Sequence, residues 1–334
     1  MSSTAMIGTS RRRLLAGLAA AGVLAPRPGR ADIGFDTWLD GFRGRAAAAG
    51  IGRRTLDLAL RDVRPSERVI ELDRRQATGR PSFRAYRQRA ISAARIRQGA
   101  RLVAENEATL RLVRERWGVV PPVVVALWGI ESGYGAFTGG FKVVDSLATL
   151  AWEGRRRELF ERELLGSLTI LERGHVGAGA MTGSWAGAMG QCQFMPTTFL
   201  GHAVDLDGDG RADIWTSVPD VLGSIAAYLL AAGWNGRYIW GREVAVPARL
   251  EPGLDGLERR LPLPEWGRRG LRRADGGALP AEPIAASLLR IDDGAGPSFL
   301  VYDNVRTLMV WNRSVNFALT VGILADAIAA EASA

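Results

Sequence analysis

The tightest constraint on this chain is the stretch Val123-Val124-Val125-Ala126-Leu127-Trp128-Gly129-Ile130-Glu131-Ser132-Gly133-Tyr134-Gly135. Pro121-Pro122 precede it, where the first turn of a helix tolerates proline because the missing N–H has no intrahelical acceptor. Gly133 and Gly135 follow it, where a helix stops. The spacing predicts a short helix whose residues from Val123 to Ile130 are all apolar or small. Such a helix has no face for water, so it belongs in a core that the rest of the chain must surround. One carboxylate, Glu131, falls at its C-terminal end.

That placement carries chemistry. Leu127 and Trp128 stand three and four residues before Glu131 and share its side of the helix. An apolar surround disfavours the charged carboxylate, and the negative end of the helix dipole pushes the same way. A carboxylic acid that keeps its proton near neutral pH is what a general acid requires. The same window also suits a glutamate that ends a core helix and reaches water, so the choice must come from elsewhere in the chain.

The 334 residues are 47% hydrophobic and 23% charged, which leaves room for a sizeable core and more than one domain. Net charge is +8, carried almost wholly by arginine, and favours an anionic partner: nucleic acid, acidic lipid or acidic polysaccharide. A single cysteine, Cys192, rules out an intramolecular disulfide. With only His175 and His202 beside it, a Cys/His zinc site is not expected.

Ser10-Arg11-Arg12-Arg13-Leu14-Leu15, an Ala/Gly-diluted apolar run to Ala25, and small residues up to Ala31 have the three-part layout of an export signal. The adjacent arginines resemble the twin-arginine type. The run is too short to span a bilayer, and no cysteine follows it for lipid attachment. The expectation is a periplasmic protein starting near Asp32, with no transmembrane span once the signal is removed.

Residues 32–120 read as helices. Phe35, Trp38, Leu39 and Phe42 recur at helical spacing, as do Tyr86, Ile91, Ile96, Leu102, Leu110 and Val113 further on. Arg84, Arg87, Arg89, Arg95, Arg97 and Arg101 fill the remaining positions, as a solvated face or as a basic wall for an acidic polymer. Residues 121–236 form a second part. Within it, 142–174 read as helix, with Leu159, Phe160, Leu164, Leu165, Leu168 and Leu171 in step. Gly183-Ser184-Trp185-Ala186-Gly187-Ala188-Met189-Gly190-Gln191-Cys192-Gln193-Phe194 is a loop that turns tightly or is closely approached. Its hydroxyl, amides and aromatic rings suit a sugar, which has polar edges and apolar faces. The glycine spacing fits neither the Walker nor the dinucleotide fingerprint.

Asp205, Asp207, Asp209 and Asp213 occupy positions one, three, five and nine of a calcium-type loop. Gly210 stands at six and Arg211 at seven, where a backbone carbonyl would serve. Position twelve is Thr216 instead of glutamate, so a structural Ca²⁺ would be weakly held, and an acidic turn is the alternative. Residues 237–307 change character: Glu243–Val246, Ala286–Ile291 and Ser298–Tyr302 alternate like strands of a small β subdomain. Residues 308–334 return to a helix from Val315 to Ala330, capped by Asn312 or Ser314.

Gly129-Ile130-Glu131-Ser132-Gly133-Tyr134-Gly135, Gly183-Ser184-Trp185-Ala186-Gly187-Ala188-Met189-Gly190 with Gln193-Phe194-Met195-Pro196, the acidic loop, and Trp311-Asn312-Arg313-Ser314 stand in a telling order. They resemble, over roughly residues 33–330, the membrane-bound lytic murein transglycosylase B family. The resemblance implies a mainly α (α+β) fold: a lysozyme-like helical core, a helical N-terminal part and a small inserted β subdomain. It implies cleavage of the β-1,4 bond between N-acetylmuramic acid and N-acetylglucosamine in peptidoglycan, leaving a 1,6-anhydro ring. It makes Glu131 the catalytic acid/base and assigns Tyr86, Ser184, Gln193, Phe194, Trp311 and Asn312 to saccharide binding. Asn316 departs from the family, standing where many relatives carry an aromatic. No cofactor is required on this reading; the partners are glycan strands, not nucleic acid, and a monomer is expected. Two rivals remain: a hydrolytic muramidase with a second acid such as Asp145, and a wall-binding protein without turnover.

Overall fold

The structure is a computed structural model and describes residues 34–75 and 82–334. The export signal read in residues 1–31 lies outside the described residues. The N-terminal part contributes α1 (Phe35–Ala48), α2 (Arg53–Leu60), α3 (Glu67–Arg74), α4 (Phe83–Ala90), α5 (Ala93–Glu105) and α6 (Glu107–Trp117). Ser66, Ser82 and Ser92 cap α3, α4 and α5, each accepting an amide N–H of the first turn.

The proline-to-glycine stretch forms α7 (Pro121–Ser132). Val123 to Gly129 are all buried, so the helix has no wet face. It ends because Gly133 takes a left-handed conformation (φ 59°), and the N–H groups of Gly133 and Tyr134 turn back onto the carbonyls of Gly129 and Trp128. Around α7 pack α5, α6, α11 (Val218–Ala231) and α14 (Val315–Ala332). By length and composition α14 would suffice to cross a membrane, but half of it is buried, packed on α5 and α7 as a core helix.

Between α7 and α11 the chain forms β1 (Phe141–Lys142), α8 (Val143–Glu153), α9 (Arg157–Glu172), β2 (Thr182–Gly183) and α10 (Pro196–His202). The antiparallel pair β1–β2 is a feature the sequence reading lacks. It anchors the glycine-rich loop beside the segment that follows α7.

The β subdomain holds β3 (Gly241–Ala245), β4 (Leu261–Pro262), α12 (Leu263–Arg268), β5 (Arg272–Arg273), β6 (Ala285–Arg290) and β7 (Ser298–Val301). The strands form one antiparallel sheet in the order β4-β6-β7-β3-β5. Strand β7 is buried on both faces. Leu300, followed by Tyr302, points into a small core with Leu288, Leu263, Trp266 and Leu271. Phe299 and Val301 point the other way into the main core, where Phe83 of α4 meets Phe299 edge-on at 5.9 Å. The sheet is thus clamped between its own core and the helices.

The sequence reading carried β character to about Thr307, but helix α13 (Asp303–Trp311) begins directly after β7. Asn304 explains the early start. It is buried, receives the N–H of Asn235 and donates to the carbonyls of Asn235 and Tyr238, fixing the helix entry to the end of the α11 segment. Of the two capping residues expected for α14, Ser314 does the work, accepting from Phe317 N–H, while Asn312 closes α13.

Candidate active site

Helix α7 carries Glu131 at its C-terminal end, where the residue keeps partial surface exposure while protein encloses its carboxyl closely. Burial pushes its pKa from an ordinary 4.5 up to about 7, and one hydrogen bond opposes the rise. That bond comes from Trp311 at the end of α13, whose indole Nε1–H donates to Oε1 at 2.7 Å. Trp311 is itself fixed. Its ring lies 5.4 Å from Phe194 and 4.8 Å from Tyr228, and Tyr228 Oη–H donates to the carbonyl of Val310 beside it. The assignment of Trp311 to saccharide binding is therefore incomplete, since its polar edge is committed to the carboxyl.

Tyr86 stands on α4 close enough that the Glu131 charge, after burial, raises its pKa. Its hydroxyl stays protonated and can act as donor or acceptor. The aromatic that the resemblance put near the acid thus lies within electrostatic reach of Glu131. Phe194 differs from expectation: it is 2% exposed, so it offers no face to a sugar and instead backs Trp311. Asn312 is exposed next to Trp311.

The glycine-rich loop is closely approached, as its composition predicts. A Cβ on Gly183 would fall 2.1 Å from the Ala188 carbonyl oxygen, and Met189 bridges to both Gly183 and Phe194. Ser184 Oγ accepts N–H groups of Ala186 and Ala188, which leaves its single proton to donate. Gln193 adopts φ 52° and its amide donates to the carbonyls of Thr138 and Gly190, latching the segment after α7 to the loop. Gln191, not singled out for a role, links more. Its Oε1 accepts from Trp128 Nε1 and its Nε2 donates to the Trp215 carbonyl, while Trp215 Nε1 donates to Thr182. A chain of indoles and one amide therefore ties α7 to the acidic loop and to β2. Adjacent polar and aromatic residues in the sequence were its only signal.

Asp145 lines a separate cavity of about 180 Å³ with Leu58, Asp62, Lys142 and Met181. Burial raises its pKa, and the charge it feels is that of Lys142. Glu131 is not among the residues lining that cavity.

In the acidic loop the carboxylates of Asp205, Asp207 and Asp209 converge within 4.8 Å and are exposed. Asp213 stands apart: it accepts the N–H groups of Trp215 and Thr216 and the Thr216 hydroxyl. The Arg211 side chain pairs with Asp209 at 3.0 Å. Asp220, in the first turn of α11, is buried and braces the loop from behind, accepting N–H groups of Leu206, Asp207 and Asp213.

The transglycosylase SLT domain family matches residues 34–326. Membrane-bound lytic murein transglycosylase B of Escherichia coli K12 is 33% identical over 252 residues, 73% of this chain and 66% of that protein. The match thus spans just under two thirds of that relative's length. Among solved structures, SltB3 from Pseudomonas aeruginosa in complex with NAG-NAM-pentapeptide is 45% identical with a TM-score of 0.86, covering 88% of this chain and 79% of that one. Escherichia coli Slt35 in complex with calcium is 28% identical with a TM-score of 0.76, covering 89% and 94%. The mainly α, lysozyme-like fold with a small sheet is that of these neighbours. The chain belongs to the lytic transglycosylase family that carries the transglycosylase SLT domain.

Proposed function

We propose that this chain is a peptidoglycan lytic transglycosylase in which Glu131 alone serves as acid and then base. The observation that carries the proposal is the enclosed Glu131 carboxyl, its pKa pushed up to about 7 by burial and one oxygen held by the Trp311 indole, while Asp145 lines a cavity whose walls do not include Glu131. Glycosidases that use water or an enzymic nucleophile pair two carboxylates across the scissile bond. One acid suffices when the substrate supplies the nucleophile. Glu131 protonates the glycosidic oxygen as its bond to C1 of N-acetylmuramic acid breaks, and the electron pair leaves with that oxygen. The resulting carboxylate takes the proton of the muramic acid 6-hydroxyl as O6 bonds to C1. No water is consumed, and holding both ends of the new ring in one sugar supplies the proximity.

The free proton of Ser184, the Tyr86 hydroxyl and the exposed Asn312 are the polar groups offered to the saccharide. The arginine-rich surface of α4 and α5 favours the carboxylates of lactyl and peptide groups. The N-terminal signal would take the enzyme to this polymer in the periplasm. Asp205, Asp207 and Asp209, which converge, are the residues that would hold a structural Ca²⁺, with the Arg211 carbonyl in the usual seventh position. The ion would neutralise three like charges; Glu131 needs no metal for its proton transfers.

Mass spectrometry of sacculi digested by the purified enzyme tests this reading. Products ending in 1,6-anhydro-N-acetylmuramic acid support it. Reducing-end products, one water heavier, would show hydrolysis instead, and binding without release would leave a wall-binding protein.

A further inference from the structure

We infer that Trp311 is a positioning residue that reserves Oε1 of Glu131 as a hydrogen-bond acceptor, so that both proton transfers run through Oε2. The inference rests on the acid/base reading of Glu131 and deepens it. An indole N–H can only donate. In a protonated carboxyl group the carbonyl oxygen is the stronger acceptor, so a donor held 2.7 Å from Oε1 selects Oε2 as the oxygen that carries the proton. A tyrosine or serine in the same place could turn its hydroxyl and accept, leaving the proton free to occupy either oxygen; tryptophan cannot.

The donor is held rigidly enough to make this selection. Phe194 and Tyr228 pack on the ring from within the fold, and they pack on each other at 5.8 Å. The backbone preceding the ring is bound by the Tyr228 hydroxyl. Phe194 is buried and Tyr228 lies on α11, one of the helices around α7. The indole and the carboxyl are therefore carried by parts of one packed core.

One consequence concerns the order of events. The leaving sugar takes its proton from Oε2, and the 6-hydroxyl must return one to the same oxygen. The freed glycosidic oxygen has to withdraw from Oε2 before the 6-hydroxyl can engage it. The two transfers are successive occupations of one position, and the net proton count on Glu131 is unchanged.

The titratable groups that feel or adjoin this pair are Tyr86 on α4, Tyr134 after α7, Cys192 in the glycine-rich loop and Tyr228 on α11. Burial raises each of them above its ordinary value, so all stay neutral while Glu131 titrates. His202 also packs on Tyr228, 4.9 Å between ring centres, and burial lowers its pKa from the ordinary 6.5, so the part of the pH response at the indole that reports Glu131 is the part lost in Glu131→Gln.

The test is the indole ¹H–¹⁵N resonance of Trp311 in the full chain without substrate, assigned by its loss in Trp311→Phe. The resonance should stay in the hydrogen-bonded range at pH 5 and at pH 9, move between those limits with a midpoint near 7, and stop moving in Glu131→Gln. A resonance that returns to the free-indole position at pH 5 would overturn the inference, because Oε1 would then be unreserved when Glu131 is protonated. So would a resonance indifferent to pH. Trp311→Phe keeps a ring against Phe194 and Tyr228 but removes the donor, so the pH at which kcat/KM falls should rise by about one pH unit, with kcat at pH 5 reduced about tenfold. A higher KM with an unmoved pH profile would make Trp311 a sugar platform only. The resonance needs no turnover, so a failure here is separable from a failure of the transglycosylase assignment, which the product masses decide.

Discussion

The end of α7 and the acidic loop use the same functional group to opposite ends. Glu131 is a single carboxyl enclosed by apolar neighbours, with one indole donor, and burial holds its pKa at about 7. Asp209, in the loop, is exposed and bonded to the Arg211 side chain and amide, which hold its pKa below the usual carboxylate range. Asp220 is the informative intermediate. It is as buried as any residue in the core, yet three backbone N–H groups point at it and oppose the upward push of burial. Burial alone therefore does not make a general acid. What does is burial with too few donors to compensate the charge.

Breaking each side of this contrast has a distinct result. The largest effect is on turnover: Glu131→Gln should lower the release of soluble muropeptides from sacculi by at least ~10²–10⁴-fold while the far-UV spectrum is unchanged. In the loop, Asp220→Ala leaves three backbone N–H groups without an acceptor. Urea unfolding should show a loss of about 3 kcal/mol, with activity falling through instability of the loop tied to α7 by Gln191.

Stability against pH sharpens the comparison. Because the folded protein holds the Glu131 proton more tightly than the unfolded chain, that contribution to stability is complete below about pH 4.5 and is lost as pH rises through about 7. Glu131→Gln has nothing to titrate there. Denaturant melts should find the variant gaining on the parent across that window, by on the order of 3 kcal/mol at pH 8. Equal stability of the two proteins at pH 5 and pH 8 would mean the carboxyl is solvated.

The smallest effect belongs to the loop's exposed trio. Millimolar Ca²⁺ should raise Tm by a few degrees, through binding to the folded state only, and Asp207→Asn should reduce that rise. No shift would remove the ion from the account.

Much of this contrast was legible in the sequence. Pro121-Pro122, the apolar run and Gly133 define α7 because each is a local signal of helix start, burial and stop. Strands β3, β6 and β7 showed as short apolar runs between turn residues, and in β7, buried on both faces, the run Phe299-Leu300-Val301 is continuous and not alternating. Strands β1 and β2 have two residues each, too few for a period to register. Helix α13 opens on Asp303-Asn304, whose cap-like character reads as loop until Asn304 is seen holding the Asn235 segment. At the site, Glu131 was legible because its dry surroundings are nearest neighbours on its own helix. Its indole partner was not, since it lies 180 positions away and no local pattern links the two. Phe194 was misplaced for a related reason: a glycine-rich loop does not reveal which of its aromatics turns inward.

The most direct test of a lone, desolvated acid is the pH dependence of kcat/KM for muropeptide release by the unaltered enzyme. The account predicts a plateau at mildly acidic pH and a single decline centred near 7, as Glu131 loses the proton it must donate. A bell-shaped profile with a second limb near pH 4–5 would reveal a partner carboxylate that must be ionised, and would contradict it.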